Sequence, residues 1–249
     1  MFAVIKAVLL TSAVALLVVL SGYTDSSVAR YLDGNSIQDA YVAAAASGDL
    51  KVMEALSRRG GNVNAIDRFG RTALIAALEG GHERVVRHLV PAGADVNLAK
   101  SDGWTPLMTA AQHGRAALVS YLIASGADPR LRTDDGYTTL LAAIESGEVE
   151  LVARLLDEGL SPDESTDEGW TPLMAAAIRG QPDIVRELLA VGANPRARGR
   201  GARTAQAVAV EGGNEEVVVA LAESGRASTR TSSREPTRVV AATAGRRRR

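Results

Sequence analysis

Three histidines, His82, His88 and His113, and a few adjacent pairs of acids are the side chains of this 249-residue chain whose types could do chemistry. A zinc-protease helix needs two histidines four residues apart with a glutamate beside the first, so that both rings reach one metal ion. His82-Glu83 is followed by Arg84, Val85 and Val86, the second ligand is missing, and no metal site is expected. The acid pairs Asp134-Asp135 and Asp167-Glu168 each stand next to a glycine. Two carboxylates work as acid and base only when a pocket gives them opposed environments. On glycine turns both are solvated and alike, and they are read as surface charge. The chain has no cysteine, which excludes disulfides, thiolate metal ligands and a cysteine nucleophile. No G-x-S-x-G elbow and no phosphate-cradling Walker loop occurs, and the glycine-rich stretch at 199–204 has no βαβ unit around it. The expectation is a non-enzyme without catalytic residues, cofactor or small-molecule substrate.

The elements that would position any site come from an internal period. Gly70–Leu74 reads GRTAL, Gly103–Leu107 and Gly169–Leu173 read GWTPL, and Gly136–Leu140 reads GYTTL. Threonine therefore falls at 72, 105, 138 and 171, and Thr204 continues a period of 33 without slippage. One step back lies a degenerate copy, with Asp39 at the threonine position and Gly48 in register with Gly81, Gly114, Gly147, Gly180 and Gly213. Six units run from about residue 34 to residue 226.

Each unit is predicted to form two short helices. Thr-Pro, as in Thr105-Pro106 and Thr171-Pro172, starts a helix, because the hydroxyl accepts from an orphan amide and proline at the first helical position gives up nothing. Alanines such as Ala110-Ala111 and Ala175-Ala176-Ala177 let neighbouring backbones approach closely. After the mid-unit glycine, pairs such as Leu118-Val119 with Leu122-Ile123 mark one buried stripe of a second helix. Gly93, Gly126, Gly159 and Gly192 then supply left-handed caps, followed by turns rich in Asp, Asn and Pro. Ser57 and Ala222 replace the aliphatic residues Val90, Ile123, Leu156 and Leu189 of the inner units, as end units facing water on one side require.

The G-W-T-P-L-M-x-A-A phrase, the mid-unit glycine and the terminal G-A-D resemble the ankyrin repeat family, whose 33-residue unit carries T-P-L-H-x-A before two helices and a β-turn. The departures are local. Met or Leu replaces the signature His, Thr139 replaces Pro, Pro91 sits late in a second helix, and Ala202 stands at a glycine position. The resemblance implies an all-α solenoid of about six helix-turn-helix units linked by β-turn loops. It also implies binding of another protein through a concave face made by the turns around G-x-T and by the ends of the first helices. His82 is expected to be structural in such a unit.

Carried onto this chain, that face comprises Arg71, Trp104, Tyr137, Trp170 and Arg203 between Gly and Thr, and Phe69, Asp102, Asp135 and Glu168 just before the Gly. The first-helix ends add Gln112, His113, Glu145, Ile178 and Arg179. Both tryptophans of the chain occur in this one ladder, on a body with only 4% aromatic residues. Aromatics and Arg supply large contact area with few rotatable bonds, which suits a partner contact. The same rings could instead lie over their own turns and stiffen them, and both readings stand at this point.

The termini differ from the repeats. Lys6 precedes an apolar run from Ala7 to Leu20, which is shorter than a membrane span and is followed by small residues. Residues 1–22 are read as a secretory signal or, uncleaved, as an inner-membrane anchor through residues 2–22, with 23–33 a linker. The expected location is outside the cytosol, in the periplasm or secreted, for a bacterial-type member of the family. At the other end, residues 226–249 hold eight Arg against Glu235 alone, so the formal charge of −1 hides a body of −8. Residues 227–249 have no apolar period and are expected to be disordered. Their arginines suit anionic surfaces; nucleic acid is disfavoured, because no aromatics interleave them for base stacking.

Overall fold

The computed structural model describes residues 26–32 and 36–232. These fall into two compact units, parted between Ser146 and Gly147. The expected signal or anchor at 1–22 and the tail from 233 onward lie outside the described residues. The first unit holds α1 (Ser26–Leu32), α2 (Ile37–Ala46), α3 (Leu50–Ser57), α4 (Ala73–Gly80), α5 (Glu83–Leu89), α6 (Pro106–Gln112), α7 (Ala116–Ala124) and α8 (Thr139–Ser146). The second holds α9 (Val149–Asp157), α10 (Pro172–Ile178), α11 (Pro182–Ala190), a 3-10 turn (Arg200–Ala202), α12 (Ala205–Glu211) and α13 (Glu215–Ser232). Among the described residues there is no strand, only isolated bridges from Ile66 to Thr72 and from Arg132 to Thr138 at two turns. The architecture is all-α, built of helix-turn-helix repeats joined by β-turn loops.

Threonine starts the first helices, as its spacing predicts. The hydroxyls of Thr72, Thr105, Thr171 and Thr204 accept from the backbone N–H of Ile75, Met108, Met174 and Ala207 at 3.1 to 3.3 Å. Pro106 and Pro172 follow at the first helical position. The helices so aligned stack first on first: α2 on α4, α4 on α6 and α6 on α8 in the first unit, α10 on α12 in the second. Their contact is paved by alanines, with Ala44, Ala45, Ala76, Ala77, Ala110 and Ala111 fully buried. Leu74, Leu107 and Leu140 fill the space between, each worth about 1.5–3 kcal/mol on burial. The second helices bury a narrower stripe than predicted. Leu118, Val119 and Leu122 are buried, while Ile123 is only half-buried, as are Val90, Leu156 and Leu189. Ser57 in the first unit and Ala222 in the second are exposed, where the inner repeats carry half-buried aliphatic residues.

Side chains tie successive turns together. In the first unit Asn64 donates to Gly93 O at 3.0 Å and accepts from Asp95 N at 2.8 Å. Asn97 repeats this on Gly126 O and Asp128 N, and in the second unit Asp163 accepts from Asn194 N. His82 takes the structural place expected of it, its Nε2 bonded to Ala46 O of the preceding repeat at 2.9 Å. Asn214 does the same for Ala177 O in the second unit. The glycine before Trp104-Thr105 is needed because the turns nest. Gly103 has φ +82, and a Cβ there would lie 2.8 Å from the Thr133 Cα of the next turn.

Five local expectations are corrected. Residues 26–32, placed in a linker, form α1, whose Val28 is buried and which packs on α2 and α3. Asp39 does not cap the first repeat. Ser36 does, accepting from Asp39 N at 3.0 Å while its hydroxyl donates to Asp39 Oδ2 at 2.8 Å, so a Ser-x-x-Asp capping box moves the helix start forward by three residues. Pro91 is not inside a helix; α5 ends at Leu89, two residues short of its counterparts α7, α9 and α11, because proline offers no N–H to extend the ladder. The last turn forms without the glycine of the other repeats, with Ala202 itself in the left-handed region at φ +58. Finally, α13 continues to Ser232, past the expected boundary at 226, since no proline interrupts the chain before Pro236.

Candidate partner-binding face

The residue between Gly and Thr is held by the turn that precedes it. Thr133 Oγ1 accepts from Tyr137 N at 2.8 Å, and Thr166 Oγ1 from Trp170 N at 3.2 Å. Asp67 Oδ1 takes both Phe69 N and Arg71 N at 2.9 Å, and Asp102 Oδ1 takes Trp104 N at 3.0 Å. In three of the turns a fixed backbone then aims the side chain over the end of its own first helix, eight residues on. Tyr137 donates its hydroxyl to Glu145 Oε1 at 2.7 Å, Arg71 reaches Glu79 Oε2 at 3.2 Å, and Arg203 pairs with Glu211.

In the first unit these rungs are joined sideways. Gln112 Nε2 donates to Glu145 Oε2 at 2.7 Å, and Lys100 Nζ to Glu79 Oε1 at 2.7 Å. The rings of Trp104 and Tyr137 lie 5.5 Å apart at 31°, and Trp104 Nε1 donates to Thr109 Oγ1 at 3.0 Å. Trp104 thus meets Tyr137, and Gln112 and Tyr137 meet on Glu145, so these ladder residues are bound to one another. Trp104 is half-buried, and its only side-chain donor is occupied by Thr109.

Burial disfavours the charge on Arg71, yet its bonds to Asp67 and then Glu79 outweigh this and raise its pKa above the usual value. The Thr133 hydroxyl lowers the pKa of Asp135, with the Tyr137 backbone N–H assisting. Arg71 and Asp135 are therefore held in their charged forms, the first by carboxylates and the second by hydrogen-bond donors.

The remaining predicted residues vary in exposure. Phe69 is 65% exposed, with Arg68 and Arg71 guanidinium groups 5.0 and 5.4 Å from its ring centre. Asp102 and His113 are exposed, and the His113 ring bonds through Nδ1 to Thr109 O at 2.8 Å. In the second unit Trp170 is half-buried, Ile178 is 41% exposed, Arg179 is exposed and Glu168 pairs with Arg200. Lys100, Glu79 and Arg68 went unrecognised in the sequence. The signal that could have found Glu79 is the eight-residue offset between complementary residues, Arg71 to Glu79, Tyr137 to Glu145 and Arg203 to Glu211, which recurs every 66 residues, in alternate repeats. Among the described residues no group of three or more His, Asp or Glu side chains is placed to hold a metal ion.

Stacked helix pairs whose turns present an exposed, preordered row of side chains define a repeat scaffold of the protein-binding kind. A family model for ankyrin repeats in three copies matches residues 41–133 and 116–199, more than half of the chain, and the chain belongs to the ankyrin repeat family. Its repeats form a protein–protein interaction domain, in a family that is generally a non-enzymatic scaffold. A search of curated proteins gives no match.

Proposed function

We propose that this chain is an exported, non-enzymatic scaffold that docks a protein partner on the surface formed by its turn tips and first-helix ends. The observation that carries it is the preordered row in the first unit, Arg71, Trp104 and Tyr137 locked by Glu79, Thr109 and Glu145, beside a phenylalanine left 65% exposed. Side chains already fixed before binding lose little entropy on docking, so contact area converts more fully into affinity. Export is supported by Lys6 and the apolar run that follows it to Leu20. The chemistry of the scaffold is recognition alone.

Photo-crosslinking tests the docking surface. A photoreactive residue at His113, on the proposed surface, is compared with one at Arg84, an exposed position on the second helix α5. Protein adducts specific to His113 are expected; adducts equal at both sites, or confined to Arg84, reject this surface. N-terminal sequencing of the mature chain tests export, with a start near Tyr23 expected and an intact Met1 in a cytosolic fraction opposing it.

A further inference from the structure

Phe69 is one of two phenylalanines in the chain, and nothing in the fold requires it. At the same register position the next two turns carry Asp102 and Asp135, and Asp102 serves its turn by accepting the Trp104 N–H. In the first turn that duty passes to Asp67, which takes both nearby amides and leaves the side chain at position 69 free of any role in the turn. The ring is 65% exposed, and Ile66, three residues earlier in the chain, is 50% exposed. The Arg71 guanidinium is spent on Asp67 and Glu79. Arg68 makes no salt bridge within 4 Å among the described residues, although its charge acts on Asp39, and its guanidinium lies 5.0 Å from the ring centre. An exposed apolar tip beside a cation that is held in no close salt bridge fits an apolar side chain flanked by a carboxylate.

The charge reverses along the same edge of the same unit. The turn at Gly70 abuts Ser101 of the next turn, whose Asp102 O accepts from Asp134 N at 3.0 Å, so three turn tips lie in succession. Asp102, Asp134 and Asp135 are all exposed there. Resting on the docking surface proposed above, we infer that this edge binds an extended polypeptide segment whose own charge reverses. Its acidic, apolar end sits on Phe69 and Arg68, and its basic end over Asp134 and Asp135. Stacked helices lie about 10 Å apart, so two repeats span about 20 Å, or about six extended residues at about 3.3 Å each. A nucleic acid carries phosphate throughout and would meet three carboxylates where the peptide presents a cation.

A random twelve-residue peptide display library selected on the full chain tests the inference. Recovered peptides are expected to pair a carboxylate-flanked apolar residue with Lys or Arg about six positions away. In titrations of the best recovered peptide, Phe69→Ala and Arg68→Glu are each expected to weaken binding about tenfold, with circular dichroism confirming that the variants are folded. A double variant, Asp134→Lys with Asp135→Lys, should lose the same peptide and recover affinity when the basic end of the peptide is changed to Glu. Recovery of no peptide, of peptides of uniform charge, or of peptides indifferent to Phe69 and Arg68 overturns the inference. So does a fifteen-residue oligothymidylate that binds more tightly than the best peptide. Protein adducts at His113 without these peptide results would keep the docking surface and reject only this partner chemistry.

Discussion

The hydroxyl of Tyr137 donates to the carboxylate of Glu145 at 2.7 Å, and the other oxygen of that carboxylate accepts from Gln112 at the same distance. Glu145 therefore joins two things: the turn to its own helix, and one repeat to the next. The same eight-residue link recurs as Arg71 to Glu79, where Lys100 supplies the second donor. Rigidity of these two turn tips comes from this pattern, because each of them is held both along its repeat and across to its neighbour.

Trp104 contributes to stability as well as to the surface. Trp104→Phe keeps a ring against Tyr137 but loses the bond to Thr109, and is expected to cost about 1 kcal/mol. Trp104→Ala also loses the ring contact and its buried area, for a total of about 2–3 kcal/mol. Chemical denaturation followed by circular dichroism measures both. A Trp104→Ala variant as stable as the wild type would show the ring to be dispensable to the fold.

Thr139 occupies the helix position where Pro106 and Pro172 stand in sister repeats. It is fully buried, and its hydroxyl has no hydrogen-bond partner. Thr139→Pro removes that unsatisfied group, and it restricts the unfolded chain. A gain of about 1–2 kcal/mol is expected, read as a higher midpoint of urea unfolding with unchanged slope.

Ala202 is held at φ +58, a conformation that costs an L-residue with a Cβ roughly 1–2 kcal/mol. Ala202→Gly relieves it while adding about 0.5–1 kcal/mol of unfolded-state freedom. The net expectation is a gain of up to about 1 kcal/mol, seen as a rise in the melting temperature. Ala202→Val, which crowds the same conformation further, should lower it.

Asp39 has a lowered pKa, first through the Ser36 hydroxyl and then through the Arg68 backbone N–H, relative to an ordinary value of 3.8. A lowered carboxylate pKa stabilises the fold above the unfolded value, and that stability disappears as pH falls through the folded value. Asp39→Asn is therefore expected to be less stable than wild type above about pH 4, with the difference shrinking below it. Urea midpoints measured from pH 7 to pH 2.5 check this; a difference that stays constant across the range contradicts it.

Much of the architecture was legible because each repeat is specified locally. Thr at 72, 105, 138 and 171 names its helix starts through one hydroxyl and one amide three residues later. Where the local code has two solutions the sequence misled. Ser36 and Asp39 can each cap, and their mutual bond decides for Ser36. The short α1 carries too weak an apolar pattern to stand out, and Val28 is buried only because α2 and α3 are beside it. For the face, the ladder of residues was visible but its internal bonding was not. Whether Trp104 is free or tied depends on Thr109 and Tyr137, five and 33 residues away.

By itself the sequence determined the repeat, its period, its helix starts and the glycines at its turns, since hydrogen bonds within a few residues and the sterics of a missing Cβ act before any tertiary contact forms. The tertiary structure alone decided which side chains remain available. Arg71, Tyr137 and Trp104 look alike in the ladder as candidate contacts, yet all three are committed to neighbours. Phe69, whose neighbouring amides are already satisfied by Asp67, is left in solvent. Exposure and pairing depend on what other repeats place alongside a residue, and no short stretch of chain contains that information.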